Sequence, residues 1–294
     1  MDIGIITVKG CTYHPNQRLR EAAQNRGLIL KCLNPYDLRP GIHAGRLTLQ
    51  IGEHRKLPRV ILPRQGAQIG SSSLTILTQF QELGIPLLNE PGPIRIAGNK
   101  FWTLQVLAAA GIQVPDTRFA HSPPAFWNGI DDLGGYPLVG KSLSSRQGQG
   151  VELLSDPLEA QRFLETHLNV DQGLLLQRFI PPQGRRDFRA LVIDGRVAGA
   201  MELQAFAGDF RSNFHVSGWS QEAHLNEELV RMALAGVRAV GLSIAGVDLV
   251  LDEEQGPLVL EVNSTPGFKG LEAATGLDIA DTIIGHAAGL IRAA

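Results

Sequence analysis

Cysteine is nearly absent from this chain of 294 residues: Cys11 and Cys32 are the only two. Two thiols cannot frame a disulfide-stapled scaffold, and with no further ligand at close spacing they do not make a zinc site. They are expected to be reduced thiols in a cytoplasmic protein. An excess of one charge is also lacking. Lys and Arg number 27 against 29 Asp and Glu, a formal balance of −2, so nucleic acid and acidic membranes are not expected partners. No apolar run reaches the roughly 18 residues of a membrane span. The opening Met1-Asp2-Ile3-Gly4-Ile5-Ile6 has no basic segment and reads as a strand, not a signal peptide. Two nucleotide motifs are missing as well. No Gly-x-Gly-x-x-Gly turn follows the first strand and no Walker A pattern occurs, so a standard dinucleotide or P-loop site is not expected.

What is present is an ordinary globular composition, 44% apolar, in a chain long enough for two or three lobes. Strand-like runs at 3–8, 28–33, 59–62 and 85–88 alternate with helical patterns at 16–26 and 72–83, which implies a small parallel α/β lobe. A helix over 99–110, stopped by Gly111, opens a middle segment with strands at 137–143, 151–154 and 174–176 and a helix at 158–168. The last segment has strands at 188–193 and 196–203, a helix at 227–240, and two further strands.

Those two strands are the most informative stretch. Ile244-Ala245-Gly246-Val247-Asp248-Leu249-Val250-Leu251 and Pro257-Leu258-Val259-Leu260-Glu261-Val262-Asn263 flank a polar turn and read as a hairpin. With the turn centred near Glu254 and Gln255, residues whose numbers sum to about 509 lie opposite, so Asp248 faces Glu261, and Asn263 shares their face. Two carboxylates among Val and Leu repel unless something positive joins them. Mg²⁺, which takes oxygen ligands from one or two carboxylates plus phosphates, resolves the conflict; pairing with an Arg or pointing to solvent are the alternatives.

Lys141 lies inside an otherwise apolar strand and is followed by Ser144-Ser145-Arg146-Gln147-Gly148-Gln149-Gly150, a small polar loop that can approach phosphate or remain an ordinary hairpin loop. Lys100, in the first turn of its helix, opposes the helix dipole unless an anion shares the site. Arg211 and Asn213, in Gly208-Asp209-Phe210-Arg211-Ser212-Asn213, and Arg189 after Asp187 are candidate anion clamps, whereas His215 reads as a loop histidine.

Taken in order, these pieces resemble the ATP-grasp superfamily and, more narrowly, the RimK-like α-L-glutamate ligases. The carrying motifs are Arg18-Leu19-Arg20-Glu21-Ala22-Ala23, Pro63-Arg64-Gln65-Gly66, Lys141 with the Gln147–Val151 loop, Gly208 to Asn213, Ala245-Gly246-Val247-Asp248, Glu261-Val262-Asn263-Ser264-Thr265-Pro266-Gly267 and Thr275-Gly276-Leu277-Asp278-Ile279-Ala280, spanning about 3–284. The resemblance implies an α/β (α+β) ATP-grasp fold, with a Rossmann-like lobe over 1–95 and two α+β lobes over 96–178 and 179–294 that clamp ATP. It implies that Lys100, Lys141, Ser145, Gly148 and Gly150 contact the nucleotide phosphates, and that Gln177, Arg178 and Phe179 hold adenine with Asp187 by the ribose. Arg189, Arg211, Ser212 and Asn213 approach the terminal phosphate and acyl group. Asp248, Glu261 and Asn263 hold two Mg²⁺, exchangeable for Mn²⁺. The implied reaction joins an amino-acid donor, glutamate in the family, to a carboxylate-bearing acceptor (peptide, protein tail or small molecule), in a soluble homo-oligomer.

Three positions depart from the family pattern: Arg178-Phe179 stands for Glu-Tyr, Val216-Ser217-Gly218 for Arg-Gly-Gly, and Ser145-Arg146 for Gly-Thr. A donor other than glutamate, a non-catalytic ATP-binding regulator and a phosphotransferase therefore stay open as alternatives.

Overall fold

The computed structural model describes residues 1–52, 56–64, 70–143, 150–183, 185–204, 219–252 and 255–293. The first lobe begins with β1 (Ile3–Ile6), wholly buried, and α1 (His14–Asn25), which carries Pro15 in its first turn, where the missing N–H breaks no helical bond. After β2 (Leu30–Leu33) come a hairpin, β3 (Leu38–His43) with β4 (Arg46–Ile51), and then β5 (Val60–Pro63). β1 lies between β2 and β5 and is parallel to both, as strand–helix alternation requires. The β3–β4 hairpin is not among the expected strands: Pro40 and Gly41 interrupt the pattern of β3, although Leu47, Leu49 and Ile51 of β4 do alternate with polar residues. Residues 85–88, expected as a strand, form only an isolated bridge between Ile61 and Leu87 after helix α2 (Gly70–Glu82).

The expectation of two reduced thiols is corrected here: Cys11 and Cys32 form a disulfide, with their Cα atoms 5.9 Å apart. Compartment arguments alone suggested free thiols. The parallel pairing of β1 and β2 places the loop after β1 beside β2, a proximity that 21 residues of sequence separation conceal.

Helices α3 (Pro91–Ala97) and α4 (Lys100–Ala109) lead to the middle sheet. It is built from β6 (Thr117–Ala120), β7 (Leu138–Ser142), β8 (Val151–Leu154) and β9 (Leu174–Arg178), in the order β6-β9-β7-β8 and antiparallel throughout. Helices α5 (Pro123–Asp132) and α6 (Pro157–His167) cover one face, so that Phe126 and Phe163 are fully buried. Gly140 on β7 has a packing reason, since a Cβ there would sit 2.7 Å from the Phe163 ring.

The last lobe has β10 (Arg185–Ile193), β11 (Arg196–Gln204), β12 (Trp219–Glu222), α7 (Glu227–Val240), β13 (Ile244–Asp252), β14 (Gly256–Asn263), α8 (Lys269–Thr275) and α9 (Ile279–Ala293). Its antiparallel sheet runs β12-β11-β10-β13-β14. α7 forms where expected because each local signal agrees. Asn226 accepts from the Leu229 N–H, Glu227 and Glu228 sit at the positive end, and Gly241 closes the helix at φ 84°. Leu229, Ala233, Gly236, Val237 and Val240 give it one buried stripe.

First and last lobes share one apolar core that joins Ile3, Ile5 and Leu62 with Ile244, Phe268 and Ile283. Asn89 ties the same junction. Its amide nitrogen donates to the carbonyls of Ile244 (2.8 Å) and Ser264 (3.0 Å), and its oxygen accepts from the N–H groups of Ser243 (2.7 Å) and Ile244 (3.0 Å). It is 3% exposed, so Asn89→Leu strands several buried backbone groups and should cost about 2–4 kcal/mol. Urea unfolding measures this; an unchanged midpoint would show that the junction does not depend on Asn89.

Candidate active site

Lys141 comes from the middle sheet, where its position in β7 pairs it with Val151 of β8 and Leu175 of β9. Its ammonium donates to Gln177 Oε1 at 2.5 Å, and Gln177 Nε2 donates in turn to Thr117 Oγ1 at 3.0 Å. These bonds hold the lysine in the wall of a small cleft that also includes Lys100, Leu104, Leu175, Leu260 and Glu261. Lys100 reaches it from the first turn of α4, where Asn99 caps the helix by accepting from the Trp102 N–H. Burial pushes the Lys141 pKa down to about 8; Lys100 and Arg185 act in the same direction, while Glu261 and Asp248 oppose it. A partly desolvated ammonium beside a second lysine is an arrangement that an anion would complete.

The opposite wall is the carboxylate hairpin. Asp248 on β13 faces Glu261 on β14, and on its other side it faces Arg189 on β10, so the three lie in one row across adjacent strands. Arg189 grips Asp248 in a two-pronged pair, Nε to Oδ1 and Nη2 to Oδ2, both 2.6 Å. Burial alone would lower the pKa of Arg189, but the Asp248 charge and hydrogen bonds outweigh it and raise it. Metal holding and pairing with an arginine looked like alternatives in the sequence; here the arginine pair is present and Glu261 still faces Asp248 from the far side. Asn263 pairs with Gly246 two residues along the same strand. The donors are all oxygen, which fits a hard divalent cation shared with phosphates. Among the described residues no group of three or more His, Cys, Asp or Glu forms a cage.

Other expected site residues fall close by. Asp187, 9% exposed, accepts from Arg185 Nε at 3.0 Å, and Arg185 also donates to the Ile180 carbonyl. Arg178 and Phe179 follow Gln177 at the end of β9, partly buried, and the Arg178 N–H is already engaged by the Asp116 carbonyl at 2.9 Å. Gln177 thus turns its side chain to Lys141, a role the sequence did not suggest. Gly150, at φ 67°, closes the connection from β7 to β8 and accepts from the Ser142 N–H. Ser145, Gly148, Arg211, Ser212, Asn213, His215 and Val216 lie outside the described residues. Thr117 and Arg185 were missed: Thr117 is an unremarkable residue of a short strand, and Arg185 has no neighbouring motif.

Across the chain, the description "RimK-like ATP-grasp domain" matches residues 97–287 and "RimK PreATP-grasp domain" matches 1–94. The chain belongs to the RimK-like ATP-grasp family. Among its relatives, a ribosomal protein bS6–L-glutamate ligase of Escherichia fergusonii is 38% identical over 97% of this chain and 94% of its own. A probable alpha-L-glutamate ligase of Citrobacter koseri is 37% identical with the same coverage. A RimK domain protein ATP-grasp from Sphaerobacter thermophilus has the same fold, with TM-score 0.76, 23% identity, 97% of this chain and 99% of that one covered. The ATP-grasp ligase PsnB, solved with a phosphomimetic precursor variant, Mg and ADP, also shares the fold (TM-score 0.74, 16% identity, 98% of each chain).

Membership in this family of ATP-dependent ligases carries with it the use of ATP and Mg²⁺. The expected α/β ATP-grasp fold with its pre-ATP-grasp lobe is what the chain adopts. Among the described residues no helix is long and apolar enough to cross a membrane.

Proposed function

We propose that this chain joins the amino group of an amino acid, glutamate first among candidates, to the carboxylate of a peptide, protein tail or small molecule. The observation that carries the reading is the meeting of Lys100, Lys141 and Glu261 around one cleft, with Asp248 opposite Glu261 across the hairpin. The relatives named as glutamate ligases support the donor. The division into lobes at 1–95, 96–178 and 179–294, a soluble cytoplasmic setting and a homo-oligomer belong to the same proposal.

A carboxylate oxygen of the acceptor attacks the γ-phosphorus of ATP; the bond to the bridging oxygen breaks, giving an acyl phosphate and ADP. The amine nitrogen then attacks the acyl carbon, phosphate leaves, and the nitrogen loses a proton to give the amide. Lys100 and Lys141 hold the phosphates, assisted by Ser145, Gly148 and Gly150. Gln177, Arg178 and Phe179 border the adenine, and Asp187 the ribose. Arg189, through its two-pronged pair, keeps Asp248 aimed along the strand row. Arg211, Ser212 and Asn213 complete the set around the transferred phosphoryl group. Asp248, Glu261 and Asn263 would hold two Mg²⁺, or Mn²⁺ in their place, which neutralise charge on the phosphates as they are transferred. Most of the rate gain then comes from positioning and fixed charge.

A second reading, a ligase with another donor, rests on Val216 standing where the family pattern has Arg. Phosphate release from Mg-ATP across free amino acids, with and without peptide acceptors, decides between them. Glutamate-stimulated release supports the first reading, and stimulation by a neutral or basic amino acid the second. Bound ATP with no release under any condition sinks both.

A further inference from the structure

Arg64 has no part in the chemistry above. Parallel sheets open their ligand crevices beyond the carboxyl ends of their strands. At that edge β1 and β5 end side by side, at Ile6 and Pro63, and the next residues out are Thr7 and Arg64. The Arg64 N–H is fixed to the Ile6 carbonyl at 2.8 Å. Its side chain crosses to the last lobe, where Nη2 donates to the Pro266 carbonyl at 2.9 Å and the guanidinium lies 5.5 Å from the centre of the Phe268 ring. Pro266 follows Asn263 by three residues and packs so closely on Gly246 that a Cβ there would come within 3.0 Å of it. The guanidinium therefore stands beside the loop leaving the carboxylate hairpin.

Among the described residues, no carboxylate pairs with it. Burial pushes its pKa down to about 10, and Tyr13 acts in the opposite direction. The arginines that line the hairpin and its approach are committed: Arg189 to Asp248 and Arg185 to Asp187. A partly buried guanidinium that has, among the described residues, one acceptor for its five N–H groups is suited to an anion that visits it.

We propose that Arg64 binds the non-reacting α-carboxylate of the amino acid that supplies the attacking amine. This rests on the ligase reading. The acceptor carboxylate is consumed at the phosphates, beside Lys141 and Glu261. The donor's α-carboxylate stays ionised from binding to product, so it requires a permanent cation away from the phosphates. Arg64 offers one, with the planar fork that matches a carboxylate. Lying on the first lobe while touching the Pro266 loop, it also makes donor binding depend on both lobes.

The test uses Arg64→Met, which keeps length and apolar contact with Phe268, and Arg64→Lys, on the full chain. Steady-state ADP formation is measured with glutamate and with glutamate α-amide, and glutamate binding to the Mg-ADP-loaded protein is followed by calorimetry. Arg64→Met should raise KM for glutamate about 10- to 100-fold, in line with loss of a charge-assisted contact. KM for ATP and the melting temperature should stay near wild type. The acid-over-amide preference should collapse, with partial recovery in Arg64→Lys. A folded Arg64→Met with an unchanged acid-to-amide ratio overturns the proposal. If wild type shows no turnover with any donor, the ligase reading fails separately. Calorimetry then decides Arg64: glutamate binding lost in Arg64→Met supports the anchor, and equal binding, or none in wild type, overturns it.

Discussion

Glu261→Gln should lower turnover roughly 10³-fold, equivalent to about 4 kcal/mol of transition-state stabilisation. The substitution keeps shape and removes one charge from the row Arg189–Asp248–Glu261. Glu261 is the informative member because Asp248 is already bound at both oxygens by Arg189. Asp248→Asn should be comparably inactive but also less stable, since it leaves the Arg189 guanidinium partly buried without its counter-charge. Two measurements separate the effects. Activity against Mg²⁺ concentration should shift to higher metal in Glu261→Gln, while its urea midpoint stays near wild type. Near-normal activity for Glu261→Gln at limiting Mg²⁺ would remove the hairpin from the metal site.

Lys141→Met should raise KM for ATP about 100-fold or more and make the unliganded protein more stable near neutrality, a combination that purely structural damage does not produce. The sign follows from the depressed pKa. With the folded value at about 8 and the unfolded value at 10.5, the unfolded chain holds more protons between those limits, so wild-type stability contributed by this group rises with pH across that window. Below it the buried ammonium is a full penalty, which methionine removes. Binding follows the opposite trend. Phosphates need the charged form, so affinity for ATP should be flat below about pH 8 and fall by up to about tenfold per unit above it, as a proton must be taken up on binding. Lys141→Arg keeps its charge throughout and should flatten that decline, whatever its absolute KM. An ATP affinity in wild type that does not change between pH 7 and 9.5 would show that Lys141 does not meet the phosphates.

The carboxylate hairpin shows how far local patterning reaches. A turn near Glu254 and Gln255 predicts opposed residues summing to about 509, and Asp248 does face Glu261. Near the turn, however, the structure follows a different sum: 249 + 259 and 252 + 256 both give 508. A bulge between Asp248 and Leu249 restores 509 at the rung that matters, by passing Leu260 over without a partner. Alternation alone could not reveal this, because a bulge is fixed by how the whole sheet twists. Helix α7 lies at the other extreme. Its cap, its charges and its terminal glycine are all local, and its span Glu227–Val240 is as the sequence predicts.

By itself the sequence determined most strands of the clamp, though not β6 or β12, the starts of α4, α6 and α7 to within a residue, the all-oxygen character of the hairpin and, through ordered motifs, the RimK-like ATP-grasp family. These depend on periodicity, capping and residue chemistry, which act within a few positions. Tertiary structure alone decided that Arg189 takes the far side of Asp248, that Gln177 supports Lys141 instead of only bordering a nucleotide, and that Cys11 bonds to Cys32. It also decided that Arg64 crosses from the first lobe to Pro266 in the last. Each of these joins residues brought together by sheet order or lobe packing, and a hydrogen bond or charge pair is set by distance in space, which sequence spacing does not encode.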